Sequence, residues 1–491
     1  MLFFKNNPLS KNRGNILLFS IVFGVISFSV IVTAVSSYAI FENRASIFKH
    51  NSEESFHIAE AGVSYYRWHL AHDGQDFQDS TSSTGPYIHE YKDVDGNIIG
   101  HFSLNIVPPD SSSTAVIVES TGWLDSQPGS QRTVQARMTP MSLTDYAYVL
   151  GTGAWIKNDM TIHGKFHANG GIRFDGTTDS LTSSAVETYT CDCFQGCCPG
   201  SGGQQTKPGI WGAGGPTNFW DFATPAKDIA GITPKRTTIK TEAQNGGLYL
   251  PSSGTYGWWL KFKDDATIEV RKVTWARCFS LAWSPLYHTY DHYHGHYWWW
   301  WNMACYDIGN SSAWATYDMP DNNFIYVNDD VWVEGVVNGR FTLAVPNDVH
   351  IVVSGDLTYL AKDGNHVAAL VAEDDIFIPL AVPNQMEIDA VLVSQNGSIM
   401  RHYYSAGWWW WGWWWGGEWT GNLANRDKII TYGSIISQDQ WIWIYPPTWF
   451  HFQSGFQTTE STYDTNLTTN PPPGFPFTAE YQIVDWEEII K

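Results

Sequence analysis

Residues 16–41 carry no charged side chain. As an α-helix these 26 residues span about 39 Å, enough to cross a hydrocarbon core of about 30 Å. A backbone that enters lipid must satisfy its own hydrogen bonds, so this segment has to be helical. The helical pattern continues past the apolar run. No proline occurs between Pro8 and Pro86, and no glycine between Gly24 and Gly62. Phe41, Ala45, Phe48, Ser52, Phe56, Ala59, Val63, Tyr66 and Leu70 recur at three- and four-residue steps, which draws one stripe along a helix. The spacing predicts a single helix over 15–73, half suited to lipid and half amphipathic. Ser37–Ala39 has the shape of a signal-peptide cleavage site, but the apolar run exceeds the ~7–15 residues of a signal core. Lys5, Lys11 and Arg13 precede the run, so the N-terminus is expected in the cytoplasm and the large domain outside.

With 28 Lys+Arg against 49 Asp+Glu, the net charge is −21. No basic surface is available to displace counterions from a phosphate backbone, which excludes nucleic acid as a partner. Charged residues make up only 16% of the chain and aromatic residues 15%. That balance suits an exported, β-rich protein.

A basic leader ending at Gly14, a hydrophobic helix, and the stretch AEAG at Ala59–Gly62 together resemble the PilX-like minor pilins of type IV pili. The resemblance implies a leader over 1–14, removed by prepilin peptidase after Gly14 to leave Asn15 as the mature N-terminus. It also implies storage in the membrane and later packing against other pilin subunits through the helix. Two positions depart from the family. Asn15 stands where Phe or Met is usual. Phe19 stands at the fifth mature position, where major pilins carry a Glu that meets a neighbour's amine. Loss of that carboxylate is similar to the tip-type subunits and implies few copies at a filament tip.

After a polar linker, IIGHFSLNIV, TAVIVEST and RTVQARMTP read as strands separated by turn clusters. A β-meander over 87–140 is expected, matching the layout that the resemblance implies. From Val331 a repeat emerges. Units beginning at Val331, Val349, Val367 and Met386 carry short β-branched runs broken at Gly, Asn or Asp, and IITYGSIIS from Ile429 adds another. Such units bury their inner faces only by stacking. The expected fold is mainly β with a long N-terminal helix: a pilin-like helix and meander, then a parallel β-helix or solenoid over 145–460 with Cys-, His- and Trp-rich insertions. Residues 154–176 read as its first rungs. HANGGIRFDG, the repeats and the ending YDTNLTTNPPPGFPFTAEYQIVDWEEI also resemble the C-terminal regions of uncharacterised bacterial proteins with a PilX-like N-terminus. Residues 461–491 are expected to be a proline-rich segment followed by a strand that adds to, or caps, the solenoid end.

No catalytic residue and no organic cofactor is expected. Four side-chain sets remain. Cys191, Cys193, Cys197 and Cys198 lie within eight residues; with Cys278 and Cys305 they make six. In an exported domain an even number favours disulfides, with Cys278 and Cys305 paired across an insertion; a thiolate metal site is the alternative. His292, His294 and His296 share one side of an extended segment and suit a metal ion, or else belong to an aromatic, polar loop. The acids of 328–330 and 372–375 stack as calcium ligands, as the carboxylate pair of a polysaccharide-cleaving enzyme, or as ordinary turn residues. Finally, Trp298, Trp299, Trp300 and Trp301, with Trp408, Trp409, Trp410, Trp411, Trp413, Trp414 and Trp415, form two tryptophan runs. They read as a contact surface for carbohydrate, membrane or another cell, or as two loops packed on each other.

Together these features lead to an expected tip-type minor pilin that presents an extracellular head for adhesion. A membrane-anchored carbohydrate-active enzyme on a β-helix and a passive envelope protein are the alternatives.

Overall fold

A computed structural model of the chain describes residues 13–109, 113–191, 195, 197, 205–231, 234–280, 303–404, 421–445, 453–478 and 480–489. The chain is mainly β, with one long N-terminal helix, and it forms two compact units. The first holds residues 1–110, 115–139 and 481–491; the second holds 111–114 and 140–480. The second is therefore an insertion into the first in chain order.

In the first unit, helix α1 runs from Arg13 to His72 without interruption, including at Phe41. The strands β1 (Tyr87–Lys92), β2 (Ile98–Val107), β3 (Val116–Leu124) and β4 (Gln127–Pro140) form an antiparallel meander. Along β3 buried and half-buried residues alternate strictly, as the period of two demands when one face meets a core. Leu124 pairs with Gln127, leaving Asp125 and Ser126 as a two-residue turn. Tyr481–Ile489 lies beside β4 as the fifth strand of this sheet. This corrects the expectation that the last strand adds to or caps the repeat region.

The second unit is built of parallel ladders. One joins Trp258, Val331, Ile351, Ile376, Ile399 and Trp441. A second joins Gly335, Leu357, Ile388, Thr431, Ser461, Ile162 and Thr178. The third is the longest: Leu248, Ile325, Leu343, Leu370, Leu392, Ile435, Tyr148, Phe166, Thr182 and Trp220. Its numbers rise to 435, restart at 148 and rise again to 220. The stretch that comes first in sequence is stacked behind the stretch that comes last. Side chains from all three ladders meet in one apolar core.

The ladder steps differ from the 18- and 19-residue spacing of the sequence repeats. Val331 pairs with Ile351, whereas Val367 belongs to the third ladder and pairs with Arg340. The repeat starts at Val331, Val367 and Met386 fall on different ladders, because each pass of the chain contributes to more than one ladder.

Two of the three outer faces are covered. Ala344, Val371, Val391, Val393 and Ile436 on the third ladder lie under Ile229, Ile239, Ala243, Leu467 and Phe475. This explains why Val367–Ala372 is buried at every position, the pattern of a strand covered on both sides. Trp332, Val352, Phe377, Met400 and Ile442 on the first ladder lie under Val273, Phe279, Ala304 and Tyr306. The second ladder keeps polar side chains outward: Asp356, Glu460 and Thr161 are exposed, and Glu387 and Lys428 are half-buried.

Candidate assembly surface

The most unusual surface belongs to α1. Ile16, Phe19, Phe28 and Phe41 are each about two-thirds exposed, and the other large apolar side chains of the helix through Phe48 are exposed too. Two of the polar side chains in this stretch turn inward to the helix itself. Ser29 Oγ donates to the Val25 carbonyl and Thr33 Oγ1 to the Ser29 carbonyl, both at 2.8 Å. Such back-bonding meets these two hydroxyls within the helix, so neither opposes an apolar surrounding. By length and composition the helix suffices to cross a membrane.

From Ser52 the helix changes partner. Ile58, Ala59, Val63, Tyr66 and Leu70 are buried against Phe102, Leu104, Val116, Val118, Val134 and Met138 of the sheet. The predicted stripe is thus covered in its second half, while Phe41, Ala45 and Phe48 stay exposed. Glycines make the approach close. A Cβ on Gly122 would stand 2.4 Å from both the Ala59 nitrogen and the Ser55 carbonyl, and one on Gly62 would stand 2.2 Å from Ser120 Oγ. Gly62, the last residue of the AEAG stretch, is therefore a packing residue here.

The helix end is pinned by polar contacts. Tyr66 donates its hydroxyl to the Asp76 carbonyl at 2.9 Å, and His69 Nε2 lies 3.0 Å from Asp76 Oδ2. Two backbone amides, Gln78 and Ser80, and His69 hold the Asp76 carboxyl below its ordinary range despite partial burial. His89 Nε2 lies 2.6 Å from Asp79 Oδ2, and Asp79 adopts a positive φ of 53°. On the other side the last strand grips the helix. Arg132 bonds both Glu488 and Ser52, and Trp486 meets the Phe56 ring edge-on at 5.8 Å.

In the second unit, Cys191 is bonded to Cys197 and Cys278 to Cys305. The first bond takes Cys191 and Cys197 out of any thiolate metal set, since an oxidised sulfur pair has no thiolate to offer. Cys193, Cys198, His292, His294, His296 and both tryptophan runs, Trp298–301 and Trp408–415, lie outside the described residues, and the side chain of Asn15, next to Gly14, does too. The roots of the two tryptophan insertions are visible. Phe279, Ala304, Tyr306, Tyr403, Tyr404 and Ala424 share one cluster on the first ladder. Tyr306 stacks on His402 with centroids 5.6 Å apart and planes 6° apart.

Of the five acids expected to stack at the turns, four are engaged by a backbone amide, and Glu373 pairs with the Arg236 guanidinium instead. Asp329 accepts from the Ser253 amide, Asp330 from His350, Asp374 from Asp348 and Asp375 from Ser398, at 2.6–2.7 Å. They tie each turn to another, as Asp does in tight turns. Among the described residues no group of three or more His, Cys, Asp or Glu side chains has metal-holding geometry.

A buried charged set had no sequence signal. Arg401 is fully buried and donates to the Pro379, Leu380 and Leu423 carbonyls. Burial pushes its guanidinium down to about 10. Nearby Asp307 accepts from the Leu380 and Ala381 amides, with its carboxyl raised by burial, and burial drives His402 down to about 3. These bonds fasten the insertion roots to the ladder.

No family model matches this sequence, and no curated relative matches it. Among solved structures, the chain is similar to the competence-associated pilin ComZ from Thermus thermophilus, at 13% identity and a TM-score of 0.24, over 89% of this chain and 98% of that one.

Proposed function

We propose that this protein is a pilin-like subunit, held in a membrane by α1 and assembled with other pilin subunits through the same helix. The observation that carries this reading is the division of one continuous helix into an apolar exposed half and a sheet-packed half. An anchor for passive tethering needs only the first half. Burying an exposed apolar face in lipid and then against neighbouring helices uses the same side chains twice, because lipid and a helix bundle are equally apolar.

Phe19, exposed and uncharged, supports a place at a filament tip, since it offers no carboxylate to a neighbour's amine. The second unit is then the head, and its tryptophan insertions, rooted together on one cluster, are the surface for adhesion to carbohydrate or a cell surface. The head faces the outside and the N-terminus the cytoplasm.

Mass spectrometry of the mature N-terminus tests the reading. A chain beginning at Asn15 supports it, and an intact Met1 in assembled cells overturns it. A clean deletion is expected to shorten or abolish pili, or to remove adhesion while pili persist.

A further inference from the structure

The open face of the second ladder holds a side-chain set that neither filament assembly nor adhesion uses. Lys362, on the turn after Ile351–Tyr359, reaches back to the strand Gln385–Ser394. Its Nζ lies 2.8 Å from Glu387 Oε1 and 3.0 Å from Asp389 Oδ1. The two acids are two residues apart on one strand, so they project from the same face. Their surroundings differ: the Glu387 side chain is 36% exposed and the Asp389 side chain 0%. The second Asp389 oxygen accepts from the Tyr359 amide at 3.0 Å, and the Tyr432 ring of the next strand lies 4.4 Å from Nζ.

An ordinary surface ion pair leaves both partners in water and contributes little. Here an amine touches one buried and one accessible carboxyl. Burial pushes the Asp389 carboxyl up to about 6, so a minor fraction, about one-tenth at pH 7, is protonated and electrophilic at carbon. Against the pull of partial burial, the bonds to Glu387 and Asp389 push Lys362 up and keep it an ammonium. Any reaction at Nζ therefore needs an adjacent base, and Glu387 is one.

We propose that Lys362 and Asp389 condense into an intramolecular amide, with Glu387 as the proton carrier. Glu387 takes one proton from the ammonium. The freed lone pair on Nζ attacks Cγ of the protonated Asp389 carboxyl, forming the C–N bond. A second Nζ proton passes to the departing hydroxyl, the C–O bond breaks, and water leaves. The third proton stays on the amide nitrogen, and Glu387 releases its proton to solvent. Fixed contact of the reacting groups supplies the effective concentration that makes such a condensation feasible. The half-open position of Lys362 gives water and the proton a way out. The link ties a turn covalently to the neighbouring strand of the same ladder.

Intact mass of the full chain, with disulfides reduced and the N-terminus read from the same sample, tests this. The expected deficit is about 18 Da, one water. Digestion should yield a branched peptide joining the segments of Lys362 and Asp389. Lys362→Arg, which keeps the charge, should abolish both signals, and Glu387→Gln should slow their appearance in freshly folded protein. A wild-type chain at full sequence mass overturns the proposal. A deficit that survives Lys362→Arg also overturns it, since the lost water then comes from elsewhere. A Glu387→Gln chain that links at the wild-type rate overturns the role given to Glu387.

Discussion

Tyr148 pairs in parallel with Ile435, so an early strand of the second unit completes its ladder only against one of the last. On its other side Tyr148 pairs with Phe166. The column Leu248 to Trp220 is therefore closed at an internal seam by residues far apart in sequence, the kind of contact that slows folding because loop entropy is spent first.

Tyr148 is fully buried at this seam, with its ring 4.6 Å from Trp441 and its hydroxyl bonded to Ser461. Tyr148→Ala should cost about 3–5 kcal/mol, as large buried aromatics do. Chemical denaturation followed by tryptophan fluorescence checks it; a loss below about 1 kcal/mol would mean that the seam is not tightly packed.

Gly122 sits where the helix backbone passes. Gly122→Val would drive its side chain into the Ala59 nitrogen and the Ser55 carbonyl, neither of which can step aside. The expected cost is about 2–3 kcal/mol, read as faster proteolysis within α1 after Ser52. Gly129→Val is the matched control, because no heavy atom stands within 4 Å of a Cβ there.

Phe28 lies near the middle of the uncharged run and is exposed. Phe28→Asp should oppose membrane insertion by about 3 kcal/mol. Cell fractionation should show the variant moving out of the membrane pellet; unchanged membrane retention would count against α1 as the anchor.

His350 is buried, with Nδ1 3.4 Å from Asp330 Oδ1 and the charges of Asp374 and Asp375 close by. Burial pulls its pKa down, but Asp330 and its neighbours outweigh that and raise it above the ordinary 6.5. A histidine raised on folding stabilises fully below its unfolded pKa, and that contribution is lost as pH climbs through the folded value. Stability should therefore fall as pH rises above 6.5, and His350→Gln should flatten the decline. Denaturation midpoints from pH 6 to 9, wild type beside variant, measure it.

The Cys278–Cys305 bond joins the two strands from which the first tryptophan insertion departs. Replacing both cysteines with serine should cost about 3 kcal/mol. Wild-type protein under reductant should lose a similar amount, and the double variant should lose less on the same treatment.

Much of the first unit was legible because its signals are local. An uncharged run long enough to cross a bilayer, without proline and with Gly24 as its one glycine, permits only helix, and the hydrophobic alternation of Val116–Leu124 announces a half-covered strand. Strand β1, YIHEYK, escaped because its alternation is mostly polar. The last strand was placed wrongly because nothing in YQIVDWEEI names its partner; Arg132 and Phe56 do, and they lie far away in sequence. The repeat spacing announced β-branched strands but hid which of them pair, since pairing follows the ladder and not the sequence step. The set at Glu387 and Asp389 was not legible, because the amine between them comes from a separate turn.

The strand Tyr481–Ile489 completes the sheet on which α1 rests, yet the ribosome makes it after the entire inserted unit. A polypeptide released at Glu480 would own every strand of the ladders and still lack the partners of Arg132 and Phe56. The fold thus contains its own proofreading of synthesis: only a ribosome that has read through codon 489 delivers a stem that is finished.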